Sequence, residues 1–225
     1  MGAAGSAAYE TDMTHRLPAE WTPHARVWIG FPSNPAEWPR GLEAPRAEIA
    51  AFAAAVHAGG RGERVVLVAG DAASAEAARA LAPPGVEVEQ HRIGDIWLRD
   101  TGPLIVTGDG PPLALDFGFN GWGGKFEMPG DEDIAPRLAG TLPLPVQNRD
   151  WIFEGGALDV DGTGLGVTTE QCLLHPNRNP WLSRAAIEAR LREDLGVERL
   201  LWLGDGLTGD HTDGHVDNLA RFVAP

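Results

Sequence analysis

Lysine is almost missing from this 225-residue sequence: Lys125 stands alone, and arginine carries nearly all the positive charge. Lys and Arg together number 18 against 32 Asp and Glu, a formal net charge of -14. Nucleic-acid binding needs a basic face, so this balance argues against such a partner. It suits attraction of a small cation, although acidity also serves solubility alone. Cysteine is reduced to Cys172, which excludes an intrachain disulfide and fits a reducing cytoplasm. No apolar run approaches the roughly 18 residues of a membrane span, which argues against a membrane protein. The N-terminus has neither the basic stretch nor the apolar core of a secretory signal. Met1–Ser6 formally fits a myristoylation pattern, but residues 1–16 read as a disordered tail.

What is present supports a folded domain over residues 17–225. The hydrophobic fraction of 43% is enough for a sizeable core. Residues Arg26–Phe31 read as a buried strand, and Ala44–His57 as a helix with Ile49, Phe52 and Val56 on one face. Gly59-Gly60 ends that helix. Arg64–Ala69 reads as a strand, Ala72–Leu81 as a helix and Val86–His91 as a strand. Leu104–Thr107 and Leu113–Asp116 form a hairpin, and Asp131–Leu138 a helix. Gly156–Val160 and Leu165–Thr169 form a second hairpin through Asp161-Gly162. Ser183 caps a helix over Arg184–Leu195, which Gly196 ends. Leu200–Leu203 and Leu219–Val223 complete the strands.

Three polar turns interrupt this pattern at intervals of roughly 55–60 residues, a spacing that suggests repeated units. They are Trp97–Pro103, Phe153–Gly156 and Asp210–Asn218. The apolar run Ile96-Trp97-Leu98 predicts that the first turn leaves a buried strand. Asp100 there either faces a cavity or accepts backbone N–H bonds within the turn. Glu154 enters an apolar region and needs a cationic partner, with Arg99 and Arg149 the candidates. In an extended segment His215 and Asp217 share one face, and a histidine is the natural acid/base near neutral pH. Trp122, flanked by glycines, either packs in the core or walls a pocket and stacks on a cation. His211, His215 and Asp217 have the donor types of a metal site, but Gly209 and Gly214 disfavour the helix that would align them. No metal is expected. Cys172, in an apolar stretch, reads as inert packing rather than as a nucleophile.

Several stretches together resemble the agmatine deiminase family, within the guanidine-modifying superfamily that includes bacterial peptidyl-arginine deiminases. They are Pro18–His24, Trp97–Pro103, Phe117–Gly124, Phe153–Gly156, Thr169–Asn179 and Gly209–Asn218, in the family's order. The resemblance implies an α/β pentein, a propeller of five ββαβ units around a central pocket, of which about three are present here. It implies hydrolysis of agmatine to N-carbamoylputrescine and ammonia, for putrescine synthesis, in the cytoplasm and without cofactor. It assigns guanidinium binding to Asp100 and Asp217 and acid/base work to His215, with Glu154 assisting. Trp122 lies in a matching stretch and is the expected pocket wall. A guanidinium is planar, cationic and donor-only, so paired carboxylates suit it. The family's nucleophilic cysteine lies in a Gly-rich segment that these residues do not include, and Cys172 matches another position. The chain is therefore expected to be C-terminally incomplete and inactive by itself. Peptidyl-arginine deimination and non-catalytic guanidine binding stay open as alternatives, as does self-association.

Overall fold

The computed structural model describes residues 15–224. Most of the tail expected over residues 1–16 lies outside them, while His15–Arg16 form a short strand, β1, paired with β5. The remaining strands make three sheets, each with a helical crossover.

The first sheet holds β2 (Val27–Phe31), β3 (Val65–Ala69) and β4 (Glu87–Gln90), all parallel. Helix α1 (Glu43–His57) joins β2 to β3, and α2 (Ala72–Leu81) joins β3 to β4. Parallel pairing demands such crossovers and buries the central strand on both faces. The continuous apolar run Val65–Ala69 accordingly has no exposed residue. Asp71 starts α2 by accepting the Ser74 N–H at 2.7 Å.

The second and third sheets follow one plan. A short helical turn, α3 (Leu98–Thr101), leads into β5 (Leu104–Gly108) and β6 (Leu113–Gly118), an antiparallel hairpin. The chain then passes through the helical turns α4 (Gly121–Gly124) and α5 (Ile134–Ala139) to β7 (Val146–Ile152), parallel to β6. Strands β8 (Asp159–Val160) and β9 (Leu165–Thr169) pair antiparallel. The short α6 (Glu170–Leu173) and the longer α7 (Arg184–Leu195) then lead to β10 (Arg199–Leu203), parallel to β9. The main core lies between these two sheets, with Trp151, Phe153, Leu158, Ile187 and Leu191 buried together. Among the described residues no helix is long and apolar enough to cross a membrane.

Four expectations change. No strand runs directly into the turn at Asp100; Trp97 and Leu98 start the turn α3 instead. Only Asp159–Val160 of Gly156–Val160 is strand, because Gly155–Ala157 coils as a 3₁₀ turn. Leu219–Val223 is not a strand: Asp159 holds it from the side, accepting from Phe222 N–H at 2.6 Å and Arg221 Nη1 at 3.1 Å. Strand β7 was not expected, because Val146–Asp150 is polar and mostly exposed and shows no apolar alternation.

Candidate active site

The three polar turns meet at Gly156. A Cβ built there would lie 2.5 Å from His215 Nδ1, 2.6 Å from Asp100 Oδ1 and 2.8 Å from Asp217 Oδ2. The Asp100 side chain of the first turn and the His215 and Asp217 side chains of the third thus close on the second turn at a point where only a glycine fits. Asp100, His215 and Asp217 also line a cleft of about 540 Å³, together with Trp122, Trp97, Phe126 and Asp95.

Each group is held by its own local structure. Asp100 is almost buried in α3; Oδ1 accepts the Gly156 N–H at 2.9 Å and Oδ2 the Trp122 indole N–H at 3.1 Å. Asp100 therefore faces a cavity, and the backbone N–H it accepts belongs to the second turn rather than to its own. Burial pushes its carboxyl pKa up, against the nearby His215. Trp122 is 4% exposed with left-handed φ 53°, so it is buried and also walls the cleft. Asn120 supports that strained turn by accepting the Gly123 N–H at 3.0 Å.

Asp210 builds the third turn. Its Oδ2 accepts from Thr212 Oγ1 at 2.6 Å, His215 N–H at 3.0 Å and Gly214 N–H at 3.1 Å. His215 and Asp217 reach the same cleft, yet not by strand alternation. His215 caps a 3₁₀ turn, Val216–Asn218, and Val216 is buried between them.

Glu154 has no exposed surface, and its partners are His215 and Arg178. It lies 2.9 Å from His215 Nε2, and its two oxygens accept from Arg178 Nε at 3.0 and 2.9 Å. The expected partners are engaged elsewhere: Arg99 with Glu20 and Arg149 with Asp194. Arg178 was missed, although a buried glutamate and an arginine between Asn177 and Asn179 were both legible. Burial alone would lower the His215 pKa; hydrogen bonds to Cys172 and Glu154, with the Asp100 charge, push it up to about 10.

Cys172 is fully buried behind His215 and lies outside the cleft lining. Burial pushes its thiol pKa up, so it is held neutral and poorly nucleophilic. Among the described residues, Glu154, Cys172 and His215 have ligand atoms within 4.8 Å of one another. That set replaces the considered His211, His215 and Asp217 grouping. The Arg178 cation on Glu154 opposes a metal ion there.

The sheet plan and the central cleft are those of a pentein, the fold of guanidine-modifying enzymes. The chain belongs to the Porphyromonas-type peptidyl-arginine deiminase family, whose signature matches residues 16–225. It is 42% identical to an agmatine deiminase of Pseudomonas aeruginosa over 223 residues, covering 93% of this chain and 58% of that protein. An agmatine deiminase of Pseudomonas putida is 40% identical with the same coverage. The solved agmatine deiminase of Enterococcus faecalis superposes with a TM-score of 0.87 at 34% identity, covering 94% of this chain and 59% of that one. A C. jejuni agmatine deiminase variant with substrate bound gives 0.86 at 30% identity, covering 97% and 65%. The chain thus spans about 58% of the length of the curated relatives it matches.

Proposed function

We propose that this chain carries the guanidinium grip and the acid/base of an agmatine deiminase. The observation that carries the reading is the convergence of Asp100, His215 and Asp217 beside Gly156, all three lining one cleft. Two carboxylates there accept the N–H donors of a planar cation and fix its carbon. Glu154 holds His215, and Trp122 walls the site.

In the proposed reaction a thiolate attacks the guanidinium carbon, and His215 protonates the departing ammonia. His215 then takes a proton from water, whose oxygen attacks the carbon. The C–S bond breaks and releases N-carbamoylputrescine. Cys172 does not supply that sulfur, since it is neutral and outside the cleft. The reading therefore requires a thiolate from outside these 225 residues. The product suits putrescine synthesis, and the reading assigns the enzyme to the cytoplasm.

Charge distribution favours agmatine over a substrate with a carboxylate. The cleft is lined by Glu37, Asp95, Asp100, Asp210 and Asp217, with no lysine or arginine among its lining residues. Such a field attracts the second positive charge of agmatine and repels the α-carboxylate of arginine. Calorimetry of the 225-residue protein should show agmatine binding more tightly than arginine or an internal arginine peptide. Asp217→Ala should weaken agmatine at least about tenfold, the loss of one charge-assisted hydrogen bond. Tighter binding of arginine or of the peptide would overturn the substrate assignment, and no binding of any guanidine would overturn the grip.

A further inference from the structure

Arg178 takes no part in the chemistry just described, yet it is the most heavily bonded side chain behind the cleft. Only 1% of its side chain is exposed. Its Nε donates to both oxygens of Glu154, at 3.0 and 2.9 Å, and Nη2 lies 2.9 Å from Glu154 Oε2. Nη2 also donates to the Thr212 carbonyl at 2.7 Å, and Nη1 to Asp213 Oδ2 at 2.8 Å. One rigid guanidinium thus clamps the glutamate of the second turn to the backbone of the third, three residues before His215.

We propose that Arg178 is a positioning residue that commits the Nε2–H of His215 to Glu154 and leaves Nδ1 as the nitrogen that faces the cleft. The inference rests on the acid/base role proposed for His215. A carboxylate beside a permanent cation stays ionised and only accepts hydrogen bonds. His215 Nε2, 2.9 Å from Glu154 Oε2, must then be the donor. Nδ1 lies on the other side, toward Gly156 and 3.7 Å from Asp100 Oδ1. A ring locked in this way presents one defined nitrogen where the guanidinium would sit. A lysine could keep the charge but not the fork that aims the carboxylate.

The charged and titratable groups facing His215 are Glu154, Asp100, Asp217 and Cys172, with Arg178 and Asp213 behind Glu154. The test is NMR of the His215 imidazole in the ligand-free 225-residue protein, its signal identified by loss in His215→Gln. Wild type should hold the proton on Nε2 when the ring is neutral and titrate well above an ordinary histidine. Arg178→Gln frees Glu154 to turn away from His215. The His215 pKa should then fall by ~1 unit or more, and the tautomer preference should be lost. Arg178→Lys should lie between the two. A folded Arg178→Gln protein with the wild-type pKa and tautomer would overturn the proposal. If Arg178→Gln does not fold, Arg178→Lys is decisive, and an unchanged ring there overturns the proposal. Unfolding of both variants also overturns it, in favour of a purely structural arginine. Agmatine is absent throughout, so failure of the substrate assignment leaves this readout intact.

Discussion

Two adjacent glycines, Gly155 and Gly156, are needed for different reasons. A Cβ at Gly155 would lie 2.2 Å from the Arg99 carbonyl, a backbone atom that cannot step aside. A Cβ at Gly156 meets only side-chain groups, those of His215, Asp100 and Asp217. Gly156 does not have the positive φ that strains an L residue. Gly156→Ala should therefore fold, at a cost of roughly 1–3 kcal/mol for shifting those buried groups, and lose agmatine binding by at least about a hundredfold, because the methyl group displaces the carboxylates and His215. Gly155→Ala should lower the melting temperature more, because a backbone atom must move. Agmatine titration and a thermal melt of both variants separate the two effects, and retained binding in Gly156→Ala would remove Gly156 from the site. At this scale the sequence revealed the residues better than their partners. Asp100, Glu154, His215 and Asp217 stood out because carboxylates and imidazole sat in glycine-bearing turns. Arg178 did not, because its bond to Glu154 spans 24 residues of sequence and exists only once two sheets have packed. Trp122 looked undecided between core and cleft because it serves both.

Elements with strong local signals formed where their residues predicted. Helix α7 has Ser183 accepting the Ala186 N–H at 3.3 Å and ends on Gly196 in the left-handed conformation. Its Ile187, Leu191 and Leu195 lie four residues apart and are fully buried against the main core. The cap and the core face should differ in worth. Ser183→Ala removes one exposed hydrogen bond and should cost about 1 kcal/mol. Leu191→Ala leaves a cavity among well-packed neighbours and should cost about 3 kcal/mol. Urea unfolding measures both, and a cap loss equal to the core loss would refute this account of the helix. Strand β7 and the segment Leu219–Val223 were misjudged for a common reason. Pairing in β7 is set by β6 beside it, and Leu219–Val223 is set by Asp159, so neither depends on the pattern within its own residues. The third turn was misjudged in conformation but not in consequence, since the Asp210 carboxylate coils it and still aims His215 and Asp217 together.

For the whole molecule, buried ionisable groups should give stability a definite dependence on pH. His215 has its folded pKa raised above the ordinary 6.5 to about 10. Its contribution is fully present below pH 6.5 and is lost as pH rises toward 10. Asp131 is almost fully buried, and burial raises its carboxyl from 3.8 to about 6 despite the Gly94 and Asp95 N–H groups that bond its Oδ1. For an acid, a raised folded pKa means that the native state holds the proton more tightly than the unfolded chain. Stability from Asp131 is therefore greatest at low pH and falls as pH rises from 3.8 to 6. Asp213 acts in the opposite sense. Lys125, Asn177 and Arg178 outweigh burial and depress its pKa, so its contribution is lost as pH falls. The Asp131 effect can be isolated, because asparagine keeps the acceptor for Gly94 and Asp95 but cannot ionise. Relative to wild type, Asp131→Asn should gain about 3 kcal/mol between pH 4 and 7, from a shift of about two units at 1.4 kcal/mol each. Urea midpoints across that range measure the gain. Parallel stability curves for the two proteins would show that Asp131 ionises in the folded protein as readily as in the unfolded chain.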